Sequence, residues 1–151
     1  MSERYLVAID GSENGWKALR LAIKFASGSD AELVLAHVVP FEPIPVSLEA
    51  WAETEGLSKD EMRARFHQNR GLGDKIIHDA EKRTIKAGCQ RVSTRVVEGH
   101  VARELVAMAG DMNADMIFLG SRGLSDLQGV VLGSVSHRVA HTAPCTCVVV
   151  R

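Results

Sequence analysis

Apolar positions along this chain fall into two alternating textures. Five short runs are almost continuously apolar and β-branched: RYLVAID (4–10), AELVLAHVV (31–39), RVSTRVVEG (91–99), ADMIFLG (114–120) and CTCVVV (145–150). Between them the spacing changes to that of a helix face. In WKALRLAIKFASG (16–28) the apolar positions are Trp16, Leu19, Ala22, Ile23 and Ala26, with Gly28 placed as a C-cap glycine. A second helix is predicted over roughly 57–88, opened by a capping box at Ser58 and Glu61, interrupted or weakened at Gly71 and Gly73, and ended by Gly88. Further helices are predicted at about 100–110 and 133–142, while Pro40, Pro43 and Pro45 open a loop that runs to about residue 56.

Strands and helices thus alternate strictly. Runs that are apolar at nearly every position suit a sheet buried on both faces, which is the signature of parallel strands covered by helices. Right-handed crossovers leave few arrangements of five strands. The predicted fold is α/β: a single-domain open parallel five-stranded sheet over 1–151, order 3-2-1-4-5, Rossmann-like, with helices on both faces.

In such sheets ligands sit beyond the carboxyl ends of the strands, where the strand order reverses. Here that point lies between strands 1 and 4, whose following loops are DGSENG (10–15) and GSRGLSDLQGVVLGS (120–134). The second holds Gly120, Gly123, Gly129 and Gly133, each costly in entropy unless used. Glycines let backbone N–H groups and phosphate oxygens approach closely, and Gly133-Ser134 at a helix start adds free N–H groups and the positive end of the helix dipole. Ser136 offers a second hydroxyl. Arg122 is the one cation within the loop and either pairs with a phosphate or points into water. The plainer alternative is a flexible connection without a ligand. Neither G-K-[ST] nor G-x-G-x-x-G is present.

Composition narrows the field. Lys and Arg number 18 against 19 Asp and Glu, a formal net charge of −1, so no basic footprint for nucleic acid appears. No apolar run reaches the roughly 18 residues of a membrane span, and no signal peptide is visible. Three cysteines, Cys89, Cys145 and Cys147, read as reduced packing thiols of a cytoplasmic protein, the last two on one face of a strand.

Gly120-x2-Gly123-x9-Gly133-Ser134 matches the G-2x-G-9x-G-(S/T) signature of nucleotide-binding universal stress proteins. VAIDGSENG, LAHVV and the ending HRVAHTAPCTCVVVR also resemble that family, so the likeness spans essentially the whole chain. The resemblance implies ATP binding and a homodimer through the last strand, 145–150. Mg²⁺ can arrive with ATP, held mainly by phosphates and water, and higher oligomers can build on the dimer. Carried over by position, Asp10 and the backbone of Ala8 and Ile9 would flank the adenosine, and Val38 would meet adenine through its main chain. Leu119 and Gly120 would approach the ribose and first phosphates. Gly123, Gly133, Ser134 and Val135 would hold the phosphate chain, with Arg122 at a variable place between the glycines.

Each residue also has a plainer role. Asp10 can cap the following helix, Val38 is a core strand residue in any reading, and His37 and His100 suit structural roles. His137 and His141 lie one turn apart, but the glutamate of H-E-x-x-H is missing. The loop has one Arg, no Lys and the single acid Asp126, a thin set for hydrolysis. The expectation is therefore a regulatory ATP-binding protein whose nucleotide state changes its assembly or its grip on a partner: a transporter, a regulator or a metabolic enzyme. A slow ATPase or phosphotransferase, and a dimeric interaction protein without nucleotide, are the alternatives.

Overall fold

The computed structural model describes residues 2–40, 56, 58–123 and 132–151, with backbone only for 59–69. The elements follow the predicted alternation: β1 (Arg4–Ala8), α1 (Glu13–Ala26), β2 (Glu32–Pro40), α2 (Lys59–Lys86), β3 (Val92–Gly99), α3 (Val101–Asp111), β4 (Met116–Gly120), α4 (Ser134–Thr142) and β5 (Thr146–Val150). All four strand pairings are parallel, in the order β3-β2-β1-β4-β5.

The unbroken apolar texture of the strands has a direct cause: both faces are covered. Tyr5, Val7, Leu33, Leu35 and Phe118 point to the side packed by α1 and α2, with Ala18, Leu19, Ile77 and Ala80. Leu6, Val34, Ala36, Ile117 and Leu119 point the other way, onto Leu105, Ala109 and Val139 of α3 and α4. Strand alternation sends neighbouring residues into opposite layers. Cys145 and Cys147 share the second layer, as their spacing implied, and burial pushes both thiols up from the ordinary cysteine range.

Two helix ends carry αL caps, and one predicted cap glycine is unused. Gly88 (φ 96°) closes α2 in a Schellman motif: Cys89 N–H donates to the Thr84 carbonyl and Gly88 N–H to Ile85. Asn113 (φ 50°) closes α3 the same way, through Ala114 to Ala109 and Asn113 to Gly110. Gly28 is not used as a C-cap; α1 ends at Ser27, whose N–H and hydroxyl both donate to the Ile23 carbonyl. The capping box at Ser58 and Glu61 needs a side chain outside the described residues.

Gly71 and Gly73 do not split α2, which runs unbroken past both. Gly73 is instead a contact point. A Cβ there would stand 2.6 Å from His37 Cδ2 and 3.0 Å from Nε2, whereas one at Gly71 would meet nothing within 4 Å. Alanine outranks glycine in a helix interior by up to about 1 kcal/mol, so Gly71→Ala is expected to stabilise the fold by that order. Gly73→Ala is expected to destabilise it by about 1 kcal/mol or more, because the overpacking outweighs the propensity gain. Thermal melts of the two variants check this opposition of sign.

Candidate functional site

β1 ends at Ala8, and the chain then turns sharply through Gly11 (φ 84°) into α1. The turn is held by a relay. Asp10 Oδ1 accepts from the Ser12 N–H (2.9 Å) and the Ser12 hydroxyl, and Ser12 Oγ accepts from the Gly15 N–H at 3.1 Å. The N-cap of α1 is therefore Ser12; Asp10 orients the cap without being it. A Cβ on Gly15 would come within 2.6 Å of Asp10 Oδ1, so the turn needs glycine there to admit the carboxylate.

Ile9 is committed on both sides. Its N–H donates to the Ala36 carbonyl (2.8 Å), and its carbonyl accepts from His37 Nδ1 (2.7 Å). The Ile9 N–H is thus spent within the sheet, and its carbonyl, which has two lone pairs, keeps one beside the bond from His37. Val38 differs. Along β2 the Leu33 N–H points to β3, donating to Arg91, while the Glu32 N–H and the Ala36 carbonyl point to β1. Main-chain groups alternate sides along a parallel strand, so those of Val38 face the β1 side. There the register stops at Ala8 opposite Ala36. Among the described residues, nothing pairs with the Val38 N–H or carbonyl on that side.

β4 ends against the start of α1. A Cβ on Gly120 would sit 2.9 Å from Asn14 and Gly15 backbone atoms, so this glycine answers to helix–strand packing before any ligand. Next comes Ser121, 1% exposed, which ties four elements together. Its N–H donates to the Val150 carbonyl (2.7 Å), its carbonyl accepts from the Gly133 N–H and the Ser136 hydroxyl, and its hydroxyl accepts from Asn14 Nδ2 (3.2 Å). The Ser136 hydroxyl also reaches the Gly133 carbonyl (3.1 Å), so it is spent inside the protein and not available as a second phosphate donor. Gly133 is the N-cap of α4 with ordinary φ (−72°) and is buried. The first turn of α4, beginning at Ser134, leaves N–H groups without helical acceptors.

These features surround one cleft of about 280 Å³. Ala8, Ile9, Asp10, Val38, Leu119, Gly120, Arg122, Gly123, Ser134 and Val135 all line it, so the topology brings these predicted positions to one place; Gly133 is not among the lining residues. Residues that the sequence reading did not assign to the site complete the wall: Ala36, His37, Pro40, Val101 and Leu105, besides Ser136. Its middle is apolar, built from side chains of the β2, β4 and α3 layer. Its two ends are polar, at Val38 and at the first turn of α4. Asp10, His37 and Arg122 are its ionisable members. Among the described residues, no three of His, Cys, Asp and Glu gather to hold a metal. His137 and His141 stack on the exposed side of α4 with ring centroids 6.2 Å apart. Residues 124–131, including Gly129 and Asp126, lie outside the described set.

The model of the universal stress protein family matches residues 1–151. This chain belongs to the universal stress protein family. It is 33% identical over 160 residues to universal stress protein YxiE of Bacillus subtilis, with 100% of both chains covered. Among solved structures it resembles hypothetical protein MJ0577 with a TM-score of 0.76 at 25% identity, covering 99% of this chain and 96% of that one. It also resembles a universal stress protein crystallised with cAMP, with a TM-score of 0.67 at 26% identity, covering 99% and 96%. A fold-mate thus holds a nucleotide. Among the described residues, no helix of this universal stress protein is long and apolar enough to cross a membrane.

Proposed function

We infer that this universal stress protein binds ATP in the cleft and that occupancy sets its assembly or its grip on a regulated partner. One observation carries the reading. An unpaired donor and acceptor on Val38 stand at one end of an apolar cleft, and the unsatisfied N–H groups of α4 stand at the other. The N6 amino group and ring N1 of adenine form a matching donor and acceptor pair, and a helix N-terminus favours phosphate. Asp10 reaches the space between them, where its second carboxylate oxygen can accept from ribose hydroxyls. Arg122, half-buried and lining the cleft, supplies the positive charge nearest the phosphates. Mg²⁺ enters with the triphosphate, held by phosphate oxygens and water.

The route from site to surface runs through Ser121. It joins the start of α4 to the last residue of β5, at the sheet edge. The β5 edge, TCVVV, carries no charge, whereas the opposite edge strand, β3, carries Arg95 and Glu98. An uncharged apolar edge invites pairing, so a two-fold homodimer through 145–150 follows, with higher assembly or a partner protein responding to nucleotide. A cytoplasmic setting suits its three free thiols.

Calorimetric titration of the nucleotide-stripped protein with Mg-ATP, then assay of the same sample for ADP, tests the reading. Saturable binding with ATP left intact supports a sensor. Rapid ADP formation moves the protein to the ATPases, and absence of binding overturns the assignment.

A further inference from the structure

In a parallel sheet the rung after the Ile9–Ala36 hydrogen bond would run from the Val38 N–H to the Ile9 carbonyl. That rung is missing although the chain on both sides continues, and the Ile9 carbonyl accepts from His37 Nδ1 at 2.7 Å in its place. A carbonyl only accepts, so Nδ1 carries the proton. The ring is seated from behind by α2, where Gly73 leaves room for it: any Cβ at that position would intrude to 2.6 Å. We propose that His37 is a positioning residue for base recognition. Its imidazole takes the Ile9 carbonyl, which would otherwise capture the Val38 N–H, and so keeps a donor and acceptor pair open at the adenine end of the cleft.

This rests on the adenine-nucleotide reading above and adds to it the source of base selectivity. The unpaired donor and acceptor on Val38 complement adenine, which offers an acceptor at N1 beside a donor at N6. Guanine offers a donor at N1 beside an acceptor at O6 and fits it poorly. His37 thus sets selectivity without donating to the base, and the cost of leaving the sheet one rung short is met by its own bond to Ile9.

The test compares His37→Phe, a ring without the donor, with His37→Asn, whose amide Nδ2 falls near the position of Nδ1. In H37F the sheet gains its rung. ATP affinity is expected to fall about ten-fold, the worth of one ordinary hydrogen bond, toward that of GTP, while tripolyphosphate binding stays unchanged. H37N is expected to keep the wild-type preference for ATP over GTP. A second readout needs no ligand: the Val38 amide, open to hydrogen exchange in the free wild type, becomes protected in H37F. The proposal is overturned if folded H37F keeps both the ATP-to-GTP ratio and fast Val38 exchange, or if H37N loses selectivity as fully as H37F. Failure of the wild type to bind ATP would sink the nucleotide reading instead, and Val38 exchange would still decide whether His37 holds the rung open.

Discussion

Replacing Ser134 by glutamate is expected to abolish ATP binding while making the protein more stable. Ser134 is the exposed first residue of α4, and no acidic residue stands in that helix's first turn. A carboxylate there meets the positive end of the helix dipole and its unsatisfied N–H groups, worth about 0.3–1 kcal/mol. The same carboxylate occupies the phosphate position in charge and in space. Like charges set against each other in a binding site cost several kcal/mol, so the affinity falls by roughly 100-fold or more. Differential scanning calorimetry and nucleotide titration of Ser134→Glu should therefore move in opposite directions. A rise in stability with ATP affinity untouched would remove the phosphate from α4.

Phe118→Ala carries the largest expected cost to the fold. Phe118 is fully buried on β4, in the layer under α1, with its ring 5.6 Å from Tyr5 and 5.5 Å from Phe25 in tilted and edge-on contacts. Truncating a buried phenylalanine costs about 3–5 kcal/mol, a large part of the roughly 5–15 kcal/mol that holds a domain together. For a chain of this length that lowers the melting temperature by roughly 10 °C or more. The loss is global because β4 joins β1 to β5 and its carboxyl end, Leu119 and Gly120, lines the cleft. Urea unfolding with an unchanged m-value and a lowered midpoint would show a cavity in an intact core. A cost below about 1 kcal/mol would mean that the layer repacks.

The architecture was legible because its signals are local and repeated. Apolar runs such as AELVLAHVV and ADMIFLG announce strands buried on both faces, and Gly88 announces a helix end. Handedness left few strand orders, and the order 3-2-1-4-5 then brought the two glycine-rich turns together at the cleft. The wiring of the site was not legible in the same way. Asn14 bonds to Ser121, 107 residues away, and His37 to Ile9, 28 residues away; no periodicity marks such pairs. Gly120 and Gly73 read as a phosphate glycine and a helix breaker, yet each is small because another element lies against it. Ser136 looked like a spare hydroxyl and is spent on the Ser121 and Gly133 carbonyls. Ile9 looked available, yet its N–H is spent on Ala36 and its carbonyl accepts from His37.

The most direct test of the account is an amide chemical-shift map of the isotopically labelled protein titrated with Mg-ATP. The account predicts saturable shifts concentrated at Val38, Asp10, Gly123, Ser134 and Val135, spreading through Ser121 to Val150. Shifts confined to another surface, such as the groove between α3 and α4 at Arg103 and Arg138, or no shifts at saturating nucleotide, would contradict it.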